Sequence, residues 1–177
     1  MITQEFFDDL PKEGWLEREE ADLLLKSASS TIGTILEVGC YHGKSTIVLA
    51  TLNREVITVD SFRDFNDLDI DGKEAKRAFI GHILDRRIAN VSLEHKRIEN
   101  WVGVPIGFAF LDGDHTYEGT IRQIQVALTC GATEICVHDY DTNPKGDGIF
   151  IKKAIESTEN LELIEVRHTM ARCKVER

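Results

Sequence analysis

Two short clusters gather most of the side chains that could do chemistry: Leu111-Asp112-Gly113-Asp114-His115 and His138-Asp139-Tyr140-Asp141. Each follows an apolar run that reads as a strand, so both belong to the turns that leave a sheet. Carboxylates crowded in this way raise one another's pKa, and they need a cation, a shared proton or solvent to be stable. Imidazoles among them add groups that titrate near neutral pH and can accept a proton from a reacting hydroxyl.

A third polar stretch, Glu37-Val38-Gly39-Cys40-Tyr41-His42-Gly43, has two glycines that let the backbone turn sharply and approach a ligand closely. It lacks the third glycine of a dinucleotide fingerprint, and Glu37 opposes a pyrophosphate while suiting a cation. Asp60 closes the next apolar run about 20 residues later, the spacing at which a carboxylate accepts hydrogen bonds from a ribose diol. The combination suits a nucleoside carrying a positive group.

The elements that must position these groups follow from periodicity. A helix is expected over Leu16–Ser29, with Ala21, Leu24, Leu25 and Ala28 on one face. Strands are expected at Ile35–Val38, Val56–Val59, Val91–Leu93, Ile106–Leu111 and Glu134–Val137, and helices at Ser45–Leu52, Ala75–Arg86 and Ile151–Ser157. Tyr117, Ile121, Ile124 and Leu128 should form the inner face of a helix that stops at Gly131. Leu161–Val166 and Met170–Val175 should close the chain as a hairpin. Alternating strands and helices imply an α/β fold, a doubly wound and mostly parallel sheet covered on both faces, and in such sheets ligands bind beyond the carboxyl ends of the strands.

The 177 residues are 42% hydrophobic, enough for one sizeable core, and no internal repeat or linker divides them. No run approaches the ~18 apolar residues of a membrane span, and Met1–Asp9 is acidic where a secretory signal would be basic. A formal charge of −10, from 31 acidic and 21 basic side chains, repels phosphate backbones and argues against nucleic-acid binding. Cys40, Cys130, Cys136 and Cys173 show no zinc spacing and read as reduced thiols, which places the protein in the cytoplasm.

LEVGCYHGKST and ITVD resemble the first two motifs of the class I S-adenosylmethionine-dependent methyltransferases. The likeness continues through FAFLDGDHTYEG, CVHDY and GIFIKKAI, and it is closest to small domains related to the macrocin-type sugar O-methyltransferases. It implies one Rossmann-like methyltransferase domain over residues 1–177, with a helical segment at 1–30 and a seven-stranded cofactor-binding core at 31–177. S-adenosyl-L-methionine would be held by Glu37, Gly39, Tyr41, Gly43, Ser45, Asp60, Ile98 and Asp112, with Gly39 and Gly43 passing its methionine part, Glu37 near its amino group and Asp60 on its ribose. In related metal-dependent enzymes the residues matching Asp112, His138 and Asp139 hold a divalent ion. Histidine replaces a carboxylate here, so manganese, iron or zinc stand beside magnesium. Asp114 matches a general base and His115 is the nearby substitute; the opposing reading makes Asp114 a helix cap and turns His115 to solvent.

Methyl transfer to an oxygen of a small hydroxylated acceptor, a sugar among the candidates, is the expected activity. A cofactor-binding module without catalysis and a nicotinamide-dependent oxidoreductase are the competing readings, and the resemblance leaves open a homo-oligomer. Asp67-x-Asp69-x-Asp71-Gly72 imitates half of a calcium loop but has Ala78 where the bidentate Glu belongs, so the stretch reads as a loop over the site. The 140–148 loop would share in acceptor choice. His82 and His95 have no partner motif and are read as surface or packing residues. Trp101 and Tyr140 could serve the site or the core.

Overall fold

Runs of β-branched and aromatic residues form the strands, and the helical segments between them carry the chain back across the sheet, so consecutive strands run parallel. In the computed structural model, which describes residues 1–64, 71–140 and 147–176, the order is α1 (Gln4–Asp8), α2 (Arg18–Ser29), β1 (Thr34–Val38), α3 (Lys44–Ala50), β2 (Val56–Asp60), α4 (Gly72–Asp85) and β3 (Val91–His95), then β4 (Ile106–Leu111), α5 (Tyr117–Thr129), β5 (Glu134–Val137), α6 (Asp147–Ser157), β6 (Leu161–Arg167) and β7 (Met170–Val175). Among the described residues seven strands make one sheet in the order β3-β2-β1-β4-β5-β7-β6. The first five are parallel and the β6–β7 hairpin adds the antiparallel edge, as the sequence leads one to expect. No helix among the described residues is long and apolar enough to cross a membrane.

Alternation along the strands supplies a core on each face. Ile35, Val56, Phe108, Phe110 and Cys136 pack with Leu23, Leu24 and Val48 of α2 and α3, while Leu36, Val59, Leu111 and Val137 pack with Ile124, Ile151 and Ile155 of α5 and α6. The strand order reverses between β1 and β4, the switch point at which open α/β sheets bind ligands. Val38 pairs with Val59 on one side and Leu111 on the other, and Leu111 pairs with Val137, so all four strands end at one level. The ladder runs one residue further, from Gly39 N to Val59 O at 2.9 Å, Asp112 N to Val38 O at 2.8 Å and His138 N to Leu111 O at 3.0 Å. That registry brings the predicted site residues to a single rim.

Beyond shifts of a few residues at element ends, two helices differ from their sequence expectation for a physical reason. α2 begins at Arg18, because Glu17 and Glu20 close a capping box that fixes its first turn. α5 is rotated from the face predicted: Gly119, Thr120, Gln123, Ile124 and Ala127 are buried, while Tyr117, Ile121 and Leu128 are only partly so. The reason is polar. Gln123 accepts from Gly113 N at 3.2 Å and donates to Asp114 O at 2.9 Å, so α5 turns an amide inward to hold the loop after β4.

The close approach of β1 and β4 depends on Gly39, whose φ is +82° and whose added Cβ would lie 2.1 Å from the Asp112 carbonyl oxygen. Gly39→Ala should therefore cost about 3 kcal/mol or more, from backbone strain plus overpacking. Gly81→Ala, in α4 with nothing within 4 Å of the new methyl, should be neutral or stabilising. Urea midpoints of the two variants check this, and equal midpoints would refute it.

Candidate functional site

Beyond the strand ends lies a cavity of about 1100 Å³, large enough for a nucleoside cofactor and an acceptor together. Of the predicted cofactor residues, Gly39, Tyr41, Ser45, Asp60, Ile98 and Asp112 line it. Glu37 and Gly43 do not. Gly43 is left-handed at φ +89°, caps α3, and would place a Cβ 2.9 Å from the Phe79 ring, so its part is conformational. Trp101 and Tyr140 are both buried in the core cluster on the α5–α6 side. The 61–72 and 140–148 loops fall partly outside the described residues, as do Asp67, Asp69 and Asp141.

Glu37 sits beneath the glycine loop, fully buried, and accepts from Ser45 Oγ at 2.6 Å, Thr46 Oγ1 at 2.5 Å and Thr58 Oγ1 at 2.6 Å. Burial pushes its pKa up to about 7, against the three hydroxyls that favour the ionised form. It faces α3 rather than the cavity, and joins β1, β2 and α3 under the loop. Asp60 performs a related task from above: its Oδ2 accepts from Cys40 N at 2.8 Å and Tyr41 N at 3.2 Å, and its Oδ1 from Phe62 N at 2.7 Å. The Cys40 thiol is also hydrogen-bonded to this carboxylate, which lines the cavity.

The rim is organised around His138, which is buried. Its Nδ1 is 3.5 Å from both Asp112 Oδ1 and Asp139 Oδ1, and its Nε2 is 3.2 Å from Glu20 Oε2. Burial pushes the His138 pKa down, but Asp112, Asp139 and Glu20 more than reverse this and hold it well above the ordinary imidazole value. Asp139 has φ +57°, a conformation Asp tolerates better than most residues, in the turn that leaves β5. His115 completes the group with Nε2 3.4 Å from Asp112 and Nδ1 3.5 Å from Asp139. Burial lowers its pKa and the two carboxylates raise it, with a net rise. Burial likewise raises Asp112, but His138 and His115 hold it far below the usual carboxylate range.

Glu20 is a residue the sequence reading missed. It is fully buried and accepts from Thr169 N at 2.9 Å, Thr169 Oγ1 at 2.5 Å and its own cap residue Glu17 N at 2.8 Å, besides facing His138. Burial raises its pKa, but His138 and Thr169 overcome this and bring it down to about 2. A Glu on the same helical face as Ala21, Leu24 and Ala28 was the available signal, since a lone carboxylate on an apolar face must find a partner. Asp112, His138 and Asp139 each present one ligand atom within 4.8 Å of the others, so the predicted metal trio does converge. Asp114 takes up the turn before α5, accepting on Oδ1 from Thr116 N at 3.0 Å and Thr116 Oγ1 at 2.8 Å, while Thr116 itself caps the helix. Burial raises its pKa, but these bonds and nearby Arg63 outweigh it and leave a weaker base than a free carboxylate.

The model of a family described as a methyltransferase domain matches residues 36–140, more than half of the chain. No curated protein matches significantly. Solved structures do: a putative O-methyltransferase from Klebsiella pneumoniae, at 13% identity over 95% of this chain and 84% of that one, has a TM-score of 0.72. The O-methyltransferase of Bacillus cereus in complex with S-adenosylhomocysteine, at 16% identity over 96% and 86%, gives 0.69. CalS11, a TDP-rhamnose 3'-O-methyltransferase of calicheamicin biosynthesis, gives 0.58 at 20% identity over 90% and 81%. At these identities the structural likeness shows the shared fold.

Glu37 makes stability depend on pH in a predictable sense. Between its ordinary value of 4.5 and about 7 the native state keeps a proton that the unfolded chain has released. Its stabilising contribution is therefore full below pH 4.5 and is lost as pH rises through 7, a change on the order of 3 kcal/mol. Chemical denaturation from pH 4.5 to 8 should show a steeper fall for the wild type than for Glu37→Gln. Parallel curves would contradict the assignment.

Proposed function

This chain belongs to the methyltransferase-domain family, and on that premise we propose that it transfers a methyl group from S-adenosylmethionine to a hydroxyl of a small acceptor at the rim of Asp112, His115, His138 and Asp139. The observation that carries the proposal is the registry of four strand ends around the cavity, which brings Gly39, Asp60, Asp112 and His138 to one rim. Gly39 leaves backbone room for the methionine part, Ile98 offers an apolar wall for the adenine, and the cavity-lining carboxylate of Asp60 stands where a ribose hydroxyl could share it. S-adenosylmethionine supplies an activated methyl group, and transfer to oxygen leaves a neutral thioether and releases one proton. His115 takes that proton, because its imidazole lines the cavity and its raised pKa makes it a stronger base than Asp114, which is bound up in the α5 turn.

The cavity is also lined by Tyr117, Phe150 and Lys153, a mixture of aromatic and cationic groups that suits a hydroxylated ring such as a sugar. The donor set of Asp112, His138 and Asp139 fits a divalent ion of the manganese, iron or zinc type. Glu20 on Nε2 fixes the tautomer that leaves His138 Nδ1 facing Asp112 and Asp139, the arrangement in which an outer carboxylate orients a histidine ligand. Such an ion, when bound, would lower the pKa of the acceptor hydroxyl.

S-adenosylhomocysteine at about 100 times its dissociation constant should raise the melting temperature by roughly 5–10 °C, and NAD should not. Stabilisation by NAD alone would overturn the cofactor assignment. With a hydroxylated acceptor, His115→Gln should lower kcat by about 10²–10⁴-fold with cofactor affinity preserved, and Asp114→Asn should cost less. Chelator and Asp139→Ala should both abolish turnover; full activity in chelator would leave His115 as base without an ion.

A further inference from the structure

A second group of ligating side chains lies on the far side of the glycine loop from the rim. Glu13, in the segment between α1 and α2, His42, in the glycine loop, and His82, in the last turn of α4, each present one donor atom within 4.8 Å of the other two. They come from three separate parts of the chain, and nothing in the methyl-transfer chemistry uses them. His42 Nδ1 is buried and makes no hydrogen bond among the described residues; the nearest carboxylate oxygen, Glu13 Oε2, stands off at 3.7 Å. An unsatisfied buried ring nitrogen costs about 1–3 kcal/mol, so the position asks for something to fill it.

The spacing identifies what would. Two ligands on a tetrahedral ion with bonds of ~2.1 Å lie ~3.4 Å apart, slightly inside the separations seen here and too long for direct hydrogen bonds. The His42 and His82 rings lie with centroids 6.5 Å apart and planes tilted by 41°, near enough for one ion to reach a nitrogen of each. Two imidazoles and one carboxylate form a donor set selective for zinc-class ions over magnesium or calcium. Glu13 is exposed and on an irregular segment, free to make the last ångström of closure.

We propose that Glu13, His42 and His82 form a binding site for a divalent transition ion of the zinc class, which fastens the segment before α2 to the glycine loop and to α4. Glu13 and His42 both line the cofactor cavity, so the ion closes one wall of it. The site is independent of the rim trio and does not require that the rim hold a metal.

The test is a zinc titration against a chromophoric chelator, with cobalt as a spectroscopic probe, in a protein whose rim carries Asp139→Asn alone and whose circular dichroism and cooperative urea transition show it folded. One zinc should bind at micromolar or lower concentration, and cobalt should give the visible bands of a low-symmetry nitrogen and oxygen site. Adding His82→Asn should weaken binding by at least ~100-fold, beyond the 10–100-fold that loss of an outer-sphere partner costs. Glu13→Gln, on an exposed side chain that cannot disturb folding, should weaken it in the same direction, and His82→Cys should restore it. No zinc binding in the rim variant, or equal affinity with His82→Asn or Glu13→Gln added, would overturn the proposal.

Discussion

Four parallel strands ending at one level is the constraint on which the rest of this molecule depends. Val38, Leu111 and Val137 are the last paired residues of β1, β4 and β5, Val38 stands level with Val59 of β2, and Gly39, Asp112 and His138 each stay hydrogen-bonded to the neighbouring strand for one more step. Gly39, Asp60, Asp112 and His138 thus meet without any long loop having to find its place. The switch in strand order opens the cleft between the Gly39 and Asp112 backbones. Rigid strand ends position reactive groups more accurately than loops do, which is what an in-line displacement requires.

Electrostatic balance is the second requirement. Three carboxylates, Glu20, Asp112 and Asp139, are held around His138, and His115 bridges two of them on the open side. Against the effect of burial, His138 and His115 hold the Asp112 carboxyl well below the usual carboxylate range, and Asp112 in turn raises both imidazoles. Removing one member would leave the others with an uncompensated charge at low exposure, a far larger penalty than loss of a surface pair. Glu37, on the other face of β1, is handled in the opposite way, since burial keeps a proton on it and hydroxyls surround it.

Much of this was legible in the sequence because it is local. Apolar runs followed by Gly39, Asp60, Asp112 and His138 mark strand ends, and strand ends mark the site. The side that Glu37 faces was also readable: period two puts it with Ile35, opposite Leu36 and Val38, hence away from the cavity-lining Val38. The resemblance to a family masked that simple inference. The α5 face was misread because apolar spacing was weighed alone, while the helix turns Thr120 and Gln123 inward to serve the loop beside it. Glu20 against His138, and Glu13 against His42 and His82, join residues far apart in the chain, and no periodicity encodes such meetings.

The capping box at the start of α2 has a consequence for anyone who trims or tags this protein. Glu20 shares its Oε2 between the backbone of Glu17 and the imidazole of His138, and its Oε1 reaches the hairpin tip at Thr169. One carboxylate thereby mortises the first long helix, the fifth strand and the last hairpin together. A fusion junction placed between Glu17 and Glu20, or a deletion that starts the chain inside α2, would be felt at the rim as a change in imidazole basicity. The helical preface is part of the working parts.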